Sequence, residues 1–331
     1  MKRYLSSALM GAALACSAQA SEESPYNVLV VMSYEEQNPW CKEIKAGIES
    51  ALGSHAETTY FYMDTKVDPK NGSAKAKQAY STYQNLQPDG VIAVDDNAQS
   101  MFIVPSLKDK VSTPIMFAGV NSNADKYGYP NSHISGILER AHVHESLAFA
   151  FAKQLMPKIQ NACFLTNDVP SGRALQTQVM AERKAYPVKV HDFYLIKSTT
   201  ELNSVRDEMG QACDALFVDS LEGIIGENKA PLTNSEILKR LDASYDGALL
   251  GGNRYQVEQG AWAAVVKTGQ EQGETSAEML LAAMRGKDLA EIPVVQNTRG
   301  ERVVNVTALD EHQISLKPLV LRGATLVRQQ P

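Results

Sequence analysis

The chain alternates between short apolar runs and longer segments in which apolar residues recur at helical spacing. Residues 27–32 form a short apolar run rich in β-branched residues, which is typical of a strand buried on both faces. In the next segment Ile44, Ile48 and Leu52 share one helix face, and Gly53 ends the pattern. Up to residue 120 the pattern predicts strands at 27–32, 56–63, 90–94 and 113–118, and helices at 38–52, 74–86 and 98–107.

The same rhythm restarts after residue 140. It predicts helices at 143–155, 173–185, 200–212 and 235–241, and strands at 162–166, 188–194, 215–218 and 248–250. The remainder contains a predicted helix at 275–285 and predicted strands at 292–296 and 302–306. Strands that alternate with helices indicate parallel sheets covered on both faces.

Two successive α/β units of similar length indicate two like lobes rather than one large sheet. We therefore predict an α/β fold of two doubly wound parallel-sheet lobes, joined by a hinge that the chain crosses several times. The expected first lobe comprises residues 25–139 and about 268–297, and the expected second lobe comprises 140–267 and about 298–331.

The first twenty residues have the features of a secretory signal peptide. Lys2 and Arg3 precede an uncharged stretch at 4–15, and Ala18 and Ala20 form an Ala-x-Ala cleavage signature. A lipoprotein attached through Cys16 is the competing interpretation, although Ala13 stands where such leaders usually have leucine. We expect cleavage after Ala20 and location in the periplasm.

The net charge indicates which partners are disfavoured, and the cysteine content indicates whether a disulfide can form. The formal net charge of −6 becomes −8 when Lys2 and Arg3 leave with the leader, which disfavours nucleic acid and anionic membranes as partners. An oxidising compartment permits one disulfide among Cys41, Cys163 and Cys213. Cys163 and Cys213 begin strands predicted to be neighbours, so a bridge between them is expected, with two buried thiols as the alternative.

Polar side chains follow nearly every predicted strand. In open parallel sheets, ligands bind outside the carboxyl ends of the strands, so these residues are candidate ligand contacts. Carboxylates there suit a ligand ammonium or sugar hydroxyls, and aromatic rings suit its apolar part. The same residue types also cap helices and form turns. The candidates are Ser33, Tyr34, Trp40, Asp95, Asp96, Gly119 and Asn121 in the first lobe, and Asp168, Ser171, Asp219 and Asn253 in the second.

Signatures of catalysis are lacking in the sequence, which contains no nucleophile elbow, phosphate-binding loop, dinucleotide fingerprint or zinc-protease motif. His142 and His144 are two residues apart and would point to different helix faces, so a helix start is favoured over a metal site. Cys41 has no identifiable histidine partner and is expected to be a buried or idle thiol. We expect no catalytic residue, no cofactor and no metal.

Several segments together resemble the periplasmic substrate-binding component of ABC transporters, which has the type I periplasmic-binding-protein fold. These segments are Ser33-Tyr34 with Pro39-Trp40, PDGVIAVDDNA at 88–98, TPIMFAGVNSNADKYGYP at 113–130, the passage 135–139, and the C-terminal IPVV and VVNVTAL. The resemblance spans essentially the whole chain after the leader, and Asp95-Asp96-Asn97-Ala98 with Gly119-Val120-Asn121 is its most specific part.

The resemblance implies a monomeric, non-enzymatic protein that closes on a small solute and delivers it to an ABC transporter permease. It carries over the seven first-lobe candidates, whereas the second-lobe candidates rest only on strand ends. Tyr34 and Trp40 favour an aromatic or amino-acid-like solute. The alternative function is that of a periplasmic sensor reporting ligand state to a membrane histidine kinase or diguanylate cyclase.

Overall fold

A computed structural model describes residues 24–152, 156, 159–315 and 318–328. The predicted signal peptide and Cys16 lie outside these residues. In chain order the elements are β1 (Tyr26–Met32), α1 (Pro39–Leu52), β2 (Ala56–Tyr62), α2 (Gly72–Leu86), β3 (Gly90–Val94), α3 (Asp95–Ala98), β4 (Ile115–Val120), β5 (Ile134–Leu138), α4 (Val143–Ala152), β6 (Asn161–Asn167), α5 (Pro170–Glu182), β7 (Lys189–Ile196), α6 (Thr199–Ala212), β8 (Ala215–Asp219), α7 (Asn234–Asp242), β9 (Ala248–Gly251), α8 (Arg254–Glu258), β10 (Ala263–Val266), α9 (Gly269–Met284), β11 (Val295–Gln296), β12 (Glu301–Asn305), α10 (Val306–Glu311), α11 (Pro318–Leu321) and β13 (Thr325–Val327).

The strands form two sheets. The first has the order β11-β5-β4-β3-β1-β2, and the pairs along it are parallel. The second has the order β13-β12-β10-β9-β8-β6-β7 and is parallel except where β12 runs antiparallel to β10. In each lobe the first strand lies between the second and third, which is the order of a doubly wound sheet. The predicted fold class is confirmed.

Helices cover both faces of the first sheet, as the continuous apolar strands require. Along β1, Val28, Val30 and Met32 pack with α1 and α9, whereas Leu29 and Val31 pack on the opposite face with α2. The second lobe has its own core around β6, β8 and β9. Among the described residues, no helix is both long and apolar enough to span a membrane.

The chain passes between the two sheets three times. It leaves the first sheet after β5, returns after β10 to form α9 and β11, and leaves again before β12. The crossings therefore lie at residues 139–142, 267–268 and 297–300. Because β5 and β10 end at crossings, the residues that follow them lie between the lobes.

The disulfide in the structure links Cys163 in β6 to Cys213, with the Cα atoms 5.7 Å apart. Cys213 caps α6 directly before β8, the neighbour of β6 in the sheet. Cys41 on α1 is a buried thiol, and burial raises its pKa to about 12. An unreactive structural thiol is consistent with that environment.

Several elements differ from the predicted ones, and the short helices α8, α10 and α11 were not predicted at all. Residues 95–97 form the first turn of a helix rather than a loop, and the segment Gln99–Leu107 that follows is π-helical with Pro105 inside it. The strand predicted at 292–296 shrinks to Val295–Gln296. Strands β5, β10 and β13 were not predicted, because they contain only three to five residues, which are too few to reveal a period.

Candidate functional site

The carboxyl ends of both parallel sheets face a cavity of about 630 Å³. Its walls come from both lobes, as the doubly wound topology predicts for a ligand site. The first lobe contributes the loop after β4, and the second contributes one face of α5 and the end of β8. Residues that line it include Asn121, Glu139, Arg140, Ser171, Asp219 and Lys267.

Asp95 and Trp40 form an aromatic–carboxylate corner in the first lobe. Trp40 lies in the first turn of α1, where Asn38 caps the helix, and its indole Nε1 donates to Oδ1 of Asp95 at 3.2 Å. Asp95 is 1% exposed and has a φ of +66°, a strained value for a residue other than glycine. Its other oxygen, Oδ2, is buried without a hydrogen-bond partner.

Gly119 provides the space for this corner. Its φ is +66°, and a Cβ atom there would lie 2.8 Å from Oδ1 of Asp95 and 3.3 Å from Nε1 of Trp40. Its amide donates to Oε1 of Gln272 on α9 at 2.8 Å. A glycine is therefore required by both backbone geometry and close approach.

Burial and neighbouring charges shift the pKa values of Asp95 and Tyr34. Burial raises the pKa of Asp95 well above its ordinary value, and Glu139 adds to the effect, whereas Lys66 opposes it. Burial likewise raises the pKa of Tyr34, with further contributions from Asp95 and Glu139. The Nζ atom of Lys66 is 4.7 Å from the centre of the Tyr34 ring.

Two predicted contacts have internal partners in the structure. The hydroxyl of Ser33 donates to the carbonyl of Val94 at 2.5 Å and accepts from the amide of Ala98 at 2.8 Å. Asp96 accepts from the amide of Asn121 at 2.9 Å and from the hydroxyl of Tyr127 at 2.5 Å. These side chains shape the walls of the site, and a direct contact of either with ligand stays a prediction.

A buried ion pair joins the first two crossings between the lobes. Oε1 of Glu139 is 3.1 Å from Nζ of Lys267, and the two side chains are 8% and 6% exposed. Burial lowers the pKa of Lys267, but Glu139 and Asp219 outweigh that effect and raise it overall. The lysine is therefore a cation in the middle of the molecule.

This ion pair connects predicted site residues of both lobes. Nδ2 of Asn121 donates to Oε2 of Glu139 at 3.2 Å, and Lys267 donates to Oδ1 of Asn253 at 3.1 Å. Asn253 in turn donates to Asp219. A continuous polar chain thus runs from the loop after β4, through the hinge, to the strand ends of the second lobe.

Sequence reasoning missed Glu139 and Lys267 as site residues, although the passage 135–139 was singled out. They directly follow β5 and β10, the strands that the pattern failed to predict. Tyr255, which follows the predicted contact Asn253, was missed as well. Burial raises its pKa well above the ordinary value, with contributions from Glu222, Asp219 and Glu139. The charge of Glu139 therefore acts on a tyrosine of each lobe, Tyr34 and Tyr255.

The remaining second-lobe candidates separate into two groups. Ser171 lines the cavity, and its hydroxyl is 3.0 Å from that of Ser220. Asp168 does not line the cavity, because Arg173 at 2.5 Å and Lys197 at 3.1 Å hold it at the end of β6. Hydrogen bonds from these two cations lower its pKa to about 2. Among the described residues, no cluster of three His, Cys, Asp or Glu side chains is arranged to hold a metal.

Known structures share this architecture. The fold is similar to a ligand-free, open substrate-binding protein with adhesive properties from Clostridium difficile, with 15% identity and a TM-score of 0.71 over 92% of this chain and 100% of that chain. It is also similar to an ABC domain in complex with L-Trp from Streptococcus pneumonia, with 18% identity and a TM-score of 0.64 over 92% of this chain and 100% of that chain.

A third similar structure is a periplasmic solute-binding protein of an ABC transporter from Actinobacillus succinogenes, with bound D-allose. It has 14% identity and a TM-score of 0.56 over 86% of this chain and 99% of that chain. A search of the curated proteins found no match. At such identities the structural likeness concerns the fold alone.

The family assignment comes from the sequence. A family profile described as "ABC transporter substrate binding protein" matches residues 36–328, which include almost all the elements of both lobes. The match confirms the resemblance carried by Asp95-Asp96-Asn97-Ala98 and Gly119-Val120-Asn121. The chain belongs to the family of ABC transporter substrate-binding proteins.

Proposed function

We propose that this protein captures a small polar solute, aromatic or amino-acid-like in character, between its lobes and delivers it to an ABC transporter. The observation that carries this proposal is the polar chain from Asn121 through Glu139 and Lys267 to Asp219, beside a cavity that both lobes line. A solute in that cavity touches first-lobe and second-lobe groups at once.

Contact with both lobes is what couples binding to closure. A ligand shifts an open–closed equilibrium only by the difference in its affinity for the two states. A solute held by Asn121 and Ser171 together gains contacts as the lobes approach, because these residues come from opposite walls of the cavity. Hinge closure about the three crossings then presents a loaded protein to the transporter.

The aromatic character of the solute is supported by the rings near the hinge. Tyr34 and Trp40 flank the start of α1, and Tyr255 follows β9 on the other lobe. Aromatic faces attract both apolar rings and cations. The protein from Streptococcus pneumonia with L-Trp has the same fold, whereas the one from Actinobacillus succinogenes holds D-allose. Amino acids and sugars are therefore both needed in a screen.

A thermal-shift screen of amino acids, nucleosides and sugars tests the proposal. A ligand of the folded state stabilises it by about 2.7 kcal/mol at a hundred times its dissociation constant, so a true ligand raises the melting midpoint. Trp40→Ala is expected to abolish most of that shift. Tyr80→Ala, which removes a half-buried ring of α2 that stacks on Tyr83, serves as the control and keeps the shift.

An equal shift in the parent, Trp40→Ala and Asp95→Ala would show that the solute binds elsewhere. Small-angle scattering supplies a second readout, since hinge closure reduces the radius of gyration. Recovery of the solute unchanged after long incubation is expected of a binder without catalytic activity.

Export and the transporter partner complete the proposal. We infer that residues 1–20 direct secretion, so amino-terminal sequencing of the periplasmic protein should begin at Ser21. Solute uptake should fail in cells that lack either this protein or its permease. The sensor role stays a prediction, and uptake that is unaffected by loss of this protein would favour it.

A further inference from the structure

Asp219 is a buried carboxylate in the wall of the cavity between the lobes. It is the last residue of β8, it lines the cavity, and it is 7% exposed. Nδ2 of Asn253 and the amide of Ser220 both donate to its Oδ1, the amide at 2.9 Å. Within the described residues, no hydrogen bond reaches Oδ2. A buried carboxylate oxygen without a donor is costly, so a ligand that supplies a donor is stabilised there.

The orientation of this carboxylate is fixed by its surroundings. Asn253 and Ser220 hold one oxygen, and Ser220 has a φ of +47°, a strained value for a residue other than glycine. A Cβ on Gly252 would lie 3.1 Å from Cβ and from Cγ of Asp219, so the lack of a side chain at 252 allows this close packing. Oδ2 is therefore the oxygen that stays available to a ligand.

Asp219 differs from the other acids that line the cavity. Glu139 is paired with Lys267. Glu182 is exposed to solvent, and its Oε2 accepts from the hydroxyl of Tyr186 at 3.0 Å. Asp219 forms no ion pair with any lysine, arginine or histidine in the part of the chain that the structure describes. It is thus a buried acid of the cavity wall whose charge has no cation of its own.

Negative charge exceeds positive charge around Asp219. Lys267 carries one positive charge and faces the negative charges of both Glu139 and Asp219, which together raise its pKa against the effect of burial. The charge of this lysine therefore balances only one of the two buried carboxylates. Buried charges in proteins are normally paired, because an unpaired ion loses its hydration without compensation.

Three kinds of ligand group can be compared at Oδ2 of Asp219. An anionic group would be repelled by the two carboxylates. A neutral hydroxyl would donate a hydrogen bond but leave the excess negative charge unbalanced. An ammonium group donates the hydrogen bond and supplies the positive charge, and charge-assisted hydrogen bonds are about twice as strong as neutral ones.

We propose that Asp219 binds an ammonium group of the solute, so that the protein selects an amine-bearing compound such as an α-amino acid over a neutral sugar. The inference rests on the proposed function, because it assigns a chemical class to the solute bound in the same cavity. Asn121 and Arg140 line the wall that the first lobe contributes. A solute anchored on Asp219 in the second lobe is therefore placed to contact the first lobe as the hinge closes.

Calorimetry with matched pairs of compounds tests the assignment on the mature protein. The pairs are L-tryptophan with indole-3-propionate, and L-phenylalanine with phenylpropionate, so that only the ammonium group differs within a pair. D-allose and D-galactose are the neutral probes. The amino acid that binds most tightly is expected to exceed its partner without the amine by at least about tenfold in affinity, the gain expected of a hydrogen bond between charged groups.

The decisive variant is Asp219→Asn, which keeps the size of the side chain and an oxygen that can accept from Asn253 and Ser220. It should weaken binding of the amino acid at least about tenfold and leave binding of its partner without the amine unchanged. Asp192→Asn in β7 is the matched control, because Oδ1 of Asp192 likewise accepts from the next amide, that of Phe193, at 2.7 Å. Asp192 does not line the cavity, so this control should keep the preference.

Equal affinities within each pair in the parent protein would overturn the inference, and so would a preference that survives in Asp219→Asn. A neutral sugar as the tightest ligand would overturn it as well. If the affinity for that sugar then falls in Asn121→Ala, the cavity still captures a solute and the proposed function stands. If none of the six compounds binds, both proposals fall.

Discussion

Two carboxylates of this protein, those of Asp95 and Asp168, have opposite electrostatic environments. Asp95 is buried beside Glu139, so its pKa is raised well above the ordinary value, and the charged form is disfavoured in the folded state. Asp168 is held by two cations, and its pKa is lowered to about 2. Both residues follow strands and were grouped together as candidates from sequence, but the environments give them different roles.

These shifts predict opposite dependences of stability on pH. Because the folded protein holds the Asp95 proton more tightly than the unfolded chain, the contribution of Asp95 to stability is greatest below about pH 4 and is lost as pH rises through the folded pKa. The variant Asp95→Asn has no carboxyl group to ionise, so it does not lose this stability as pH rises. The variant should therefore unfold at higher urea concentration than the parent at pH 8, by about 1.4 kcal/mol for each unit of the raised pKa.

The control for this experiment is Asp168→Asn. A lowered pKa stabilises the folded state above the unfolded value and loses that contribution as pH falls, so this variant should be slightly less stable at pH 8. Urea unfolding of the ligand-free protein at pH 4 and pH 8 measures both effects. If the unfolding free energies of the parent and Asp95→Asn depended equally on pH, the raised pKa of Asp95 would be contradicted.

At the scale of elements, two close contacts bring distant parts of the chain together. Helix α9 returns to the first lobe and packs against α1, where a Cβ on Gly273 would lie 2.1 Å from the carbonyl oxygen of Ile44. A Cβ on Gly47 would lie 2.2 Å from that of Gln270. Both glycines are thus required by helix packing. In the second lobe, the disulfide fixes the start of β6 to the end of α6.

Thiol counting tests the disulfide. In protein that lacks the first twenty residues, Cys41 should be the one thiol that reacts after denaturation, and reduction should expose three. The bridge spans a sequence separation of 50 residues. Loop-closure entropy then predicts a loss of about 4 kcal/mol of unfolding free energy in Cys163→Ser, Cys213→Ser.

Cys41→Ser serves as the comparison, because it removes a thiol without opening the bridge. Its unfolding midpoint should respond to reductant as the parent does, whereas the double variant should not respond. Three reactive thiols in unreduced denatured protein would contradict the bridge.

At the scale of the whole molecule, the lobes are coupled through the hinge. The ion pair of Glu139 and Lys267 joins the first two crossings, and Asn297 at the third accepts from the amide of Arg140 at 2.7 Å. Asn297 also donates to the carbonyl of Arg140 at 3.0 Å. The three crossings are therefore connected to one another by this ion pair and these hydrogen bonds.

A double-mutant cycle measures the coupling free energy between Glu139 and Lys267. Lys267→Met leaves the buried carboxylate of Glu139 without its cation and should cost about 3–5 kcal/mol of unfolding free energy. The double variant Glu139→Gln, Lys267→Met should recover most of that loss, because neither charge remains. Urea unfolding measures each variant.

Lys45→Met is the matched control, since it breaks the exposed pair with Glu49 on α1. It should cost less than about 1 kcal/mol. Additive losses from Glu139→Gln and Lys267→Met would show that the two side chains act independently.

The sequence alone was sufficient for most of the elements and for the sheet edge at which the site is expected. Continuous apolar runs at 27–32, 90–94 and 113–118 identify buried strands because a parallel sheet covered by helices buries both faces of each strand. The carboxyl ends of those strands then indicate where Trp40, Asp95 and Gly119 lie. That inference needs only local periodicity and a general rule for open sheets.

Only the tertiary structure decided which polar side chains meet. Glu139, Lys267 and Lys66 have ordinary sequence surroundings, and their roles depend on partners up to 128 residues away in the chain (139 to 267). Asp95 and Asp96 are neighbours in sequence, yet one is left with a partnerless oxygen and the other is fully bonded. The physical reason is that hydrophobic periodicity is a property of neighbouring residues, whereas burial and charge pairing arise only when distant segments pack together.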